Sequence, residues 1–278
     1  MQTLGEIKAL LASRGLRPRH RFGQNFLIEP VHLDTLVGRS EVAADDLVLE
    51  VGPGTGVLTD LLVERGVEVV ACEIDRDLAA LISARFGDRI RLVVGDVLPN
   101  KRSLASPVVE ALGGRAFHLV ANLPYAIASP LLAVLAGIEG FRGGCATVQR
   151  EVADRLAAPP GIRAYGPLSV VMQSRFAVER IADLPPGCFW PPPEVSSAMV
   201  RLAPRAAPLV EAASLDAFGR FVGRVFGRRR KQLGSILGRD RRLPAGIDAE
   251  MRPERLSVEQ WVELERWNVP DDRIQAET

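Results

Sequence analysis

Four consecutive residues combine the groups needed to bind and orient a planar amine: Asn122, Leu123, Pro124 and Tyr125. The Asn122 side-chain oxygen can accept a hydrogen bond from an exocyclic amine. Pro124 favours an extended backbone at Leu123, which would turn the Leu123 carbonyl outward as a second acceptor. The Tyr125 ring offers a face on which a nucleobase could stack. Because asparagine and proline are also common in turns, these four residues alone favour a site and an ordinary turn equally.

The elements around this motif are those of an alternating α/β region. The predicted strands are the apolar runs 47–51, 67–72, 90–94, 117–121 and 145–149, with helical patterns of apolar residues between them. This alternation predicts a mostly parallel sheet with helices on both faces, and a later run at 198–202 predicts an antiparallel strand at its edge. Ligands bind at the carboxyl ends of strands in such sheets. Asn122 directly follows the fourth predicted strand, and its position therefore favours a site.

The ends of the first three predicted strands carry groups suited to a nucleoside ligand. Glycines alternate with other residues over 52–56, and Val57 stands where the dinucleotide fingerprint has its third glycine. A ligand without a pyrophosphate is therefore favoured. Glu73 ends the second strand and could accept both ribose hydroxyls, whereas Asp96 follows the third and could accept an adenine amine. Each carboxylate alone could be a solvated group or a helix cap, but together with Asn122 they form the layout of S-adenosylmethionine-dependent methyltransferases.

Composition excludes several other classes of protein. The 278 residues are 47% hydrophobic, which is ample for a core, and the net charge is only +1. The three cysteines, Cys72, Cys145 and Cys188, show no CxxC spacing, and the three histidines form no HExxH-like cluster. We therefore expect neither a disulfide framework nor a metal site. No apolar run approaches 18 residues and the first residues do not resemble a secretory signal. The sequence predicts a soluble, cytoplasmic protein with no membrane partner.

Positive charge is concentrated in two segments. Residues 14–21 contain no acidic residue, and the segment 220–242 holds nine cations against the single acid Asp240. Those cations are Arg220, Arg224, Arg228, Arg229, Arg230, Lys231, Arg239, Arg241 and Arg242. Such a concentration suits contacts to RNA phosphates, although a solvated helix face is the usual explanation of a charge run. Helical patterns begin near residue 214, and the predicted domains are 1–205 and 206–278.

Several longer segments of the sequence resemble those of the small-subunit ribosomal RNA adenine dimethyltransferase family. The resemblance covers almost the whole chain and is carried by residues 19–27, 49–56, 95–97, 122–125, 149–153, 163–169, 189–198 and 226–231. The glycine-rich turn at 52–56 is common to methyltransferases of this fold. The segment 22–27 and the proline-rich stretch at 189–193 are far more specific.

The resemblance implies a Rossmann-like methyltransferase fold, with a mostly parallel seven-stranded sheet and a small helical C-terminal domain. The implied contacts to the cofactor S-adenosylmethionine are Asn25, Leu27, Gly52, Gly54, Glu73, Asp96, Val97 and Asn122. The implied reacting centre comprises Asn122, Leu123, Pro124, Tyr125 and Phe189, with the target adenine held between the two aromatic rings. The two concentrations of positive charge described above, and not the resemblance, predict the RNA contacts Arg19, Arg21, Arg224, Arg228, Arg229, Arg230 and Lys231. The implied reaction is N6,N6-dimethylation of two adjacent adenosines near the 3′ end of 16S rRNA, in immature 30S subunits. Separately from the resemblance, we expect a monomer.

Three residues depart from the family's usual pattern. Glu194 stands where a polar or basic residue is usual, and Ser196 stands where aspartate is usual. Ala126 replaces an asparagine that often follows the tyrosine. The departures concern the fit of the substrate and leave the acceptor and the aromatic rings unchanged.

Four other interpretations share some of these features. A DNA adenine methyltransferase would share the acceptor motif and cofactor, and activity on duplex DNA would favour it. An Erm-like methyltransferase of large-subunit rRNA is not excluded by the helical C-terminal region. An antibiotic-resistance assay would distinguish it from a small-subunit enzyme. A non-catalytic assembly factor is disfavoured by the intact Gly52, Glu73, Asp96, Asn122 and Tyr125. The glycine spacing and the lack of an evident hydride-relay histidine disfavour a nicotinamide dehydrogenase.

Overall fold

The computed structural model describes residues 2–238 and 241–268. The helices are α1 Leu4–Ser13, α2 Pro30–Arg39, α3 Val57–Glu64, α4 Arg76–Phe86, α5 Ser106–Leu112, α6 Tyr125–Ala136, α7 Arg150–Ala157, α8 Pro167–Gln173, α9 Leu215–Phe226, α10 Leu233–Leu237 and α11 Val258–Asn268. The strands are β1 Phe26–Leu27, β2 Leu47–Val51, β3 Glu68–Glu73, β4 Arg91–Val94, β5 Phe117–Asn122, β6 Phe141–Gln149, β7 Phe176–Leu184, β8 Phe189–Trp190 and β9 Ser197–Pro204. No helix in the described ranges is long and apolar enough to cross a membrane.

The main sheet has seven strands in the order β4-β3-β2-β5-β6-β9-β7. The first five strands in this order are parallel, and β9 and β7 are antiparallel to their neighbours. All residues of β2 are buried, as expected for a strand covered by helices on both faces. The seven-stranded, Rossmann-like sheet predicted from the resemblance is therefore confirmed. The predicted edge position of the 198–202 strand was wrong, because β7 pairs with its outer side.

The sheet changes direction between β2 and β5. Strands β2, β3 and β4 extend one way from this point, and β5 and β6 extend the other way. The helices that follow β2 and β5 must therefore leave on opposite faces, which opens a crevice at the carboxyl ends of these two strands. The glycine turn that follows β2 and Asn122 at the end of β5 both lie at this crevice.

A second, two-stranded sheet joins distant parts of the chain. Strand β1 pairs antiparallel with β8, so that Phe26 lies opposite Trp190 and Leu27 opposite Phe189. The rings of Phe26 and Trp190 stack with their centroids 6.2 Å apart. We call this two-stranded sheet the ribbon. It connects the N-terminal segment to the proline-rich stretch. Both segments belong to the implied site.

The C-terminal helices pack directly on the α/β region. Phe226 of α9 stacks on Trp261 of α11 at 4.9 Å between centroids, and the Tyr165 hydroxyl donates to the Leu256 carbonyl at 2.9 Å. One buried cluster extends from the sheet through α8 to these helices. The predicted boundary near residue 205 follows the end of β9, and a division into two domains there stays a prediction.

Candidate active site

A cavity of about 610 Å³ opens at the carboxyl ends of β2, β3, β4, β5 and β6. Its other walls are two segments that cross this edge of the sheet. One is the N-terminal strap, residues 18–26, and the other is the proline loop, residues 191–195. The cavity lies at the change of direction in the sheet, where this type of fold binds ligands.

Most of the predicted site residues line this cavity. They are Asn25, Gly52, Gly54, Glu73, Asp96, Val97, Asn122, Leu123, Pro124 and Tyr125, together with Arg21. The structure thus brings the predicted cofactor contacts and the predicted amine acceptors to one continuous space. A small ligand held by the first group would face a base held by the second.

Leu27 and Phe189 are not on the cavity wall. They pair with each other in the ribbon, and each is only 3% exposed within an apolar cluster. The predicted stacking of a base between Tyr125 and Phe189 is therefore not preformed in this structure. Leu27 borders a much smaller cavity beneath Gly52 instead. The roles implied for both residues stay predictions.

The glycine turn after β2 gives a ligand close access to the backbone. Gly52 and Gly54 have φ of +72° and +62°, which side chains other than that of glycine rarely allow. A Cβ on Gly54 would also lie 2.8 Å from the Phe26 ring of the strap. The turn can therefore pack against the strap only when position 54 lacks a side chain.

Glu73 is held in place by backbone groups. Its side chain accepts hydrogen bonds from the Gly54 amide at 3.2 Å and from the Asp75 amide at 2.9 Å. Burial raises the pKa of Glu73, and these backbone hydrogen bonds oppose the rise. The carboxylate is 4% exposed and faces the cavity, a setting in which a ribose diol would meet a fixed acceptor.

The Asn122 amide is oriented from both ends. Its Nδ2 donates to the Asn25 carbonyl at 2.8 Å, and its Oδ1 accepts a hydrogen bond from the Thr147 hydroxyl. Thr147 is fully buried on β6, directly opposite Asn122. Because an amide oxygen has two lone pairs, Oδ1 keeps one for a ligand. The sequence did not indicate Thr147, since only the strand register shows that it faces Asn122.

The Tyr125 ring is held by Ser197 of β9. The two hydroxyl oxygens are 2.5 Å apart, and Ser197 is fully buried. Burial raises the pKa of Tyr125, and the hydrogen bond with Ser197 opposes the rise. The phenol therefore stays neutral at physiological pH and can serve as a positioned ring rather than as a base.

An ion-pair network closes the strap over the cavity. Arg19 donates to Asp75 at 2.8 Å and also pairs with Asp77. Gln24 donates to the other Asp75 oxygen at 2.8 Å and accepts from the Arg19 amide at 2.7 Å. Asp75 is only 3% exposed and stands two residues after the ribose candidate Glu73. Arg19, predicted as an RNA contact, is therefore already paired inside the protein, whereas Arg21 lies on the cavity wall.

Asp75→Ala is expected to weaken binding of the methyl-donor cofactor about tenfold. The substitution removes the acceptor shared by Arg19 and Gln24, so that the strap loses both side-chain contacts to this carboxylate, and solvent screening of the exposed arginine keeps the effect modest. Asp77→Ala is the control, because Asp77 is 50% exposed and holds Arg19 alone. Isothermal titration calorimetry measures both affinities. Equal affinities in the two variants would contradict a closing role for Asp75.

Glu50 lies beneath the glycine turn and was not among the predicted site residues. It is 1% exposed in the middle of the sheet, and its Oε2 accepts from the Thr59 hydroxyl at 2.7 Å. Burial raises the pKa of Glu50 to about 8. A protonated carboxyl therefore supports the glycine turn at neutral pH.

Glu50→Gln is expected to remove a pH dependence of stability. The pKa of Glu50 in the folded chain lies above its unfolded value, so this group's stabilisation is complete below about pH 4.5 and disappears as the pH rises through about 8. Between these values the loss is roughly 1.4 kcal/mol per pH unit. In urea unfolding from pH 5 to pH 8, the free energy of unfolding of the glutamine variant should rise relative to that of the parent protein. A constant difference, equal to that for the exposed Glu64→Gln control, would contradict this pKa.

The second basic segment forms an exposed surface. Arg228, Arg229, Arg230 and Lys231 follow α9, are all exposed, and make no salt bridge within residues 2–238 and 241–268. Arg224 stacks over the Phe221 ring at 5.4 Å, whereas Arg220 pairs with Asp216. We call residues 228–231 with Arg224 the basic surface. Arg239 and Asp240 lie outside the described residues.

The chain is similar to known proteins over nearly its whole length. A family model described as "Ribosomal RNA adenine dimethylase" matches residues 15–268. A "Ribosomal RNA small subunit methyltransferase A" from Ralstonia nicotianae is 38% identical over 94% of this chain and 93% of that protein. The protein of the same name from Anaeromyxobacter dehalogenans is 40% identical, over 93% of this chain and 96% of that protein.

Two solved structures share the fold. A dimethyladenosine transferase from Plasmodium falciparum superposes with a TM-score of 0.71 at 23% identity, over 86% of this chain and 95% of that one. The 23S rRNA methyltransferase ErmE superposes with a TM-score of 0.67 at 25% identity, over 87% of this chain and 98% of that one. Since the family model and these relatives span nearly the whole chain, it belongs to the ribosomal RNA adenine dimethylase family.

Proposed function

We propose that this protein dimethylates the N6 of two adjacent adenosines near the 3′ end of small-subunit ribosomal RNA, using S-adenosylmethionine. The observation that carries the proposal is the single cavity that joins Gly52, Glu73 and Asp96 to Asn122 and Tyr125. The choice of RNA is supported by the name of the relatives at 38–40% identity. We place its action on immature 30S subunits in the cytoplasm, as a monomer.

The cavity residues fit S-adenosylmethionine. Gly52 and Gly54 admit a ligand to the backbone, Glu73 offers a buried acceptor for a ribose, and Asp96 offers a second carboxylate for an adenine amine. Ile74, next to Glu73, also lines the cavity and is 43% exposed, which leaves apolar surface for a base. When bound, the cofactor would supply an electrophilic methyl group on sulfur. The strap would cover it and exclude water.

Asn122 and Leu123 would prepare the amine for transfer. The adenine N6 is a poor nucleophile, because its lone pair is delocalised into the ring. The second lone pair of Asn122 Oδ1 and the Leu123 carbonyl would each accept an N6–H bond and favour a pyramidal nitrogen. Catalysis would come mainly from proximity and orientation. The excess proton can leave to water after transfer, and we assign no general base.

The target base would have to leave its stack in the RNA. Unstacking costs a few kcal/mol, and stacking on an aromatic side chain returns roughly 1–3 kcal/mol per base. Tyr125 offers this surface in the present structure, because it lines the cavity and is fixed by Ser197. A contact from Phe189 would need the ribbon to shift, since Phe189 is 3% exposed there.

Phosphate contacts would come from two places. Arg21 lies at the strap, and the basic surface lies beyond α9. The exposed cations of residues 228–231 have no intramolecular partner within the described ranges. Such cations bind nucleic acid largely by releasing counterions, independently of sequence.

A substrate comparison tests the proposal. Labelled S-adenosylmethionine is offered with undermethylated small subunits, with large-subunit rRNA and with duplex DNA. We expect label in the small subunit alone. Preferential labelling of large-subunit rRNA would instead favour an activity like that of the structural neighbour ErmE. Preferential labelling of DNA would favour a DNA methyltransferase, and no labelling at all would favour a binding factor.

A further inference from the structure

Gln149 is a polar side chain on the cavity wall that the proposed function leaves unused. It is the last residue of β6, is half-buried and lines the cavity together with Asn122 and Tyr125. Its side-chain amide makes no hydrogen bond with any residue in the ranges 2–238 and 241–268. A glutamine on a cavity wall with its donor and acceptor both available is suited to bind a ligand.

The strand register places Gln149 on the same face as the amine acceptor. Thr147 lies opposite Asn122 across the β5–β6 pair, and their side chains are hydrogen bonded. Side chains two positions apart on a strand share a face. Gln149 therefore projects from β6 on the face that carries Asn122 Oδ1, two residues nearer the carboxyl end of the strand than Thr147.

A second register relation places Gln149 next to the stacking ring. Gln149 lies opposite Ser197 in the antiparallel β6–β9 pair, and directly opposed residues present their side chains on one face. The Ser197 hydroxyl contacts the Tyr125 hydroxyl. The amide of Gln149 thus belongs to the part of the cavity bounded by Asn122 and Tyr125, where the base would enter.

We propose that Gln149 recognises the target base by donating a hydrogen bond from Nε2 to a ring nitrogen of adenine. This inference rests on the proposed function. With N6 held by Asn122 and the Leu123 carbonyl, the acceptors beside it are N1 and N7, and glutamine is a suitable partner for an adenine edge. Guanine presents an oxygen in place of N6, which would face two acceptors. Gln149 is thus a specificity-determining residue that adds a donor beside two acceptors, Asn122 Oδ1 and the Leu123 carbonyl.

The contact matters most for the second methylation. The first transfer removes one N6–H, so that the monomethylated amine has one fewer bond to give to Asn122 and Leu123. The bond from Gln149 to a ring nitrogen survives that change. A variant without the Nε2 donor should therefore slow the second transfer more than the first, and N6-methyladenosine should accumulate.

The test combines Gln149→Met, which removes the donor at similar length, with small subunits reconstituted from modified RNA. The RNA carries adenosine, 1-deazaadenosine or 7-deazaadenosine at the target positions. Single-turnover rates are measured at saturating cofactor and RNA, and monomethylated and dimethylated nucleosides are quantified. Gln232→Met is the matched control, because Gln232 is exposed and is not on the cavity wall.

We expect Gln149→Met to slow transfer to adenosine about tenfold, with accumulation of the monomethylated nucleoside, and one deaza analogue to slow the unaltered protein by a similar factor. That analogue should not slow Gln149→Met further, because the same bond is already missing. The inference would be overturned if each analogue slowed Gln149→Met by the same factor as it slows the unaltered protein, or if Gln149→Met had a normal rate with adenosine. Either result would leave the proposed function intact. Failure of the unaltered protein to methylate adenosine would overturn the proposed function and this inference with it.

Discussion

Asn122→Ala is expected to lower the single-turnover rate of methyl transfer about 10³-fold, within the range seen when one preorganised polar group is removed from a catalytic site. The substitution deletes Oδ1, which accepts a hydrogen bond from the Thr147 hydroxyl and is oriented further by the bond that Nδ2 donates to the Asn25 carbonyl. Cofactor binding should be weakened only in part, because Gly52, Glu73 and Asp96 remain. Rapid-quench transfer from labelled cofactor gives the rate, and calorimetry gives the affinity.

Two further variants separate orientation from general loss of folding. Thr147→Val keeps the shape of the buried side chain but removes the hydroxyl that aims the amide, and should cost about tenfold. Asn100→Ala changes an asparagine whose side chain, among residues 2–238 and 241–268, bonds only within its own exposed turn, and should leave the rate unchanged. Near-normal turnover by Asn122→Ala would show that Asn122 has no role in methyl transfer.

Charge reversal of residues 228–231 is expected to reduce RNA affinity about 10²-fold and to flatten its dependence on salt. Each phosphate contact contributes roughly 0.7–0.9 to the slope of log affinity against log salt concentration, so four lost contacts should lower the slope by about 3. The cations are exposed on one continuous turn after α9. Filter binding of small-subunit RNA over a salt series measures both quantities.

A matched double reversal controls for the change in net charge. Arg229→Glu with Arg230→Glu is compared with Lys101→Glu and Arg102→Glu, which lie in an exposed loop away from the basic surface. Only the first pair should reduce the slope, by about 1.5. If both pairs act equally, the effect is one of overall charge and the basic surface has no special role.

The buried parallel strands were the most predictable part of the fold. Leu47–Val51 is apolar apart from Glu50 and is fully buried as β2, so its composition alone indicated a covered strand. Strand β7 was not predicted. Its residues Phe176–Leu184 are mostly half-buried or exposed, since an edge strand has less apolar surface to cover, and polar residues interrupt the pattern. The neighbouring β9 was therefore placed at the edge.

The positions of the candidate site residues were predictable where a polar side chain ends or directly follows a parallel strand. Glu73, Asp96 and Asn122 each end or follow a parallel strand, and parallel strands bring such residues to one edge. Contacts that depend on register or on distant segments could not be inferred in this way. The bond from Thr147 to Asn122 needs the alignment of β5 with β6. The closure of the strap needs Arg19 to meet Asp75, 56 residues away.

The role implied for Phe189 stays a prediction. Family motifs indicated that its ring faces the target base, but the pairing of β8 with β1 turns the side chain into an apolar cluster. A base would have to move the ribbon to reach that ring. The strap, the ribbon and the Asn25 bond to Asn122 link the cofactor side of the cavity to the base side, so that order in the strap supports the orientation of the acceptor.

In the proposed function, one cavity serves two successive methyl transfers to the N6 of adenine. Its most direct test is the product. Undermethylated small subunits are incubated with the protein and S-adenosylmethionine, their RNA is digested to nucleosides, and the products are separated and identified by mass spectrometry. We expect N6,N6-dimethyladenosine at two adjacent positions near the 3′ end of the small-subunit RNA. A methyl group on any other atom or base, or a product that stops at N6-methyladenosine with excess cofactor, would contradict the proposed function.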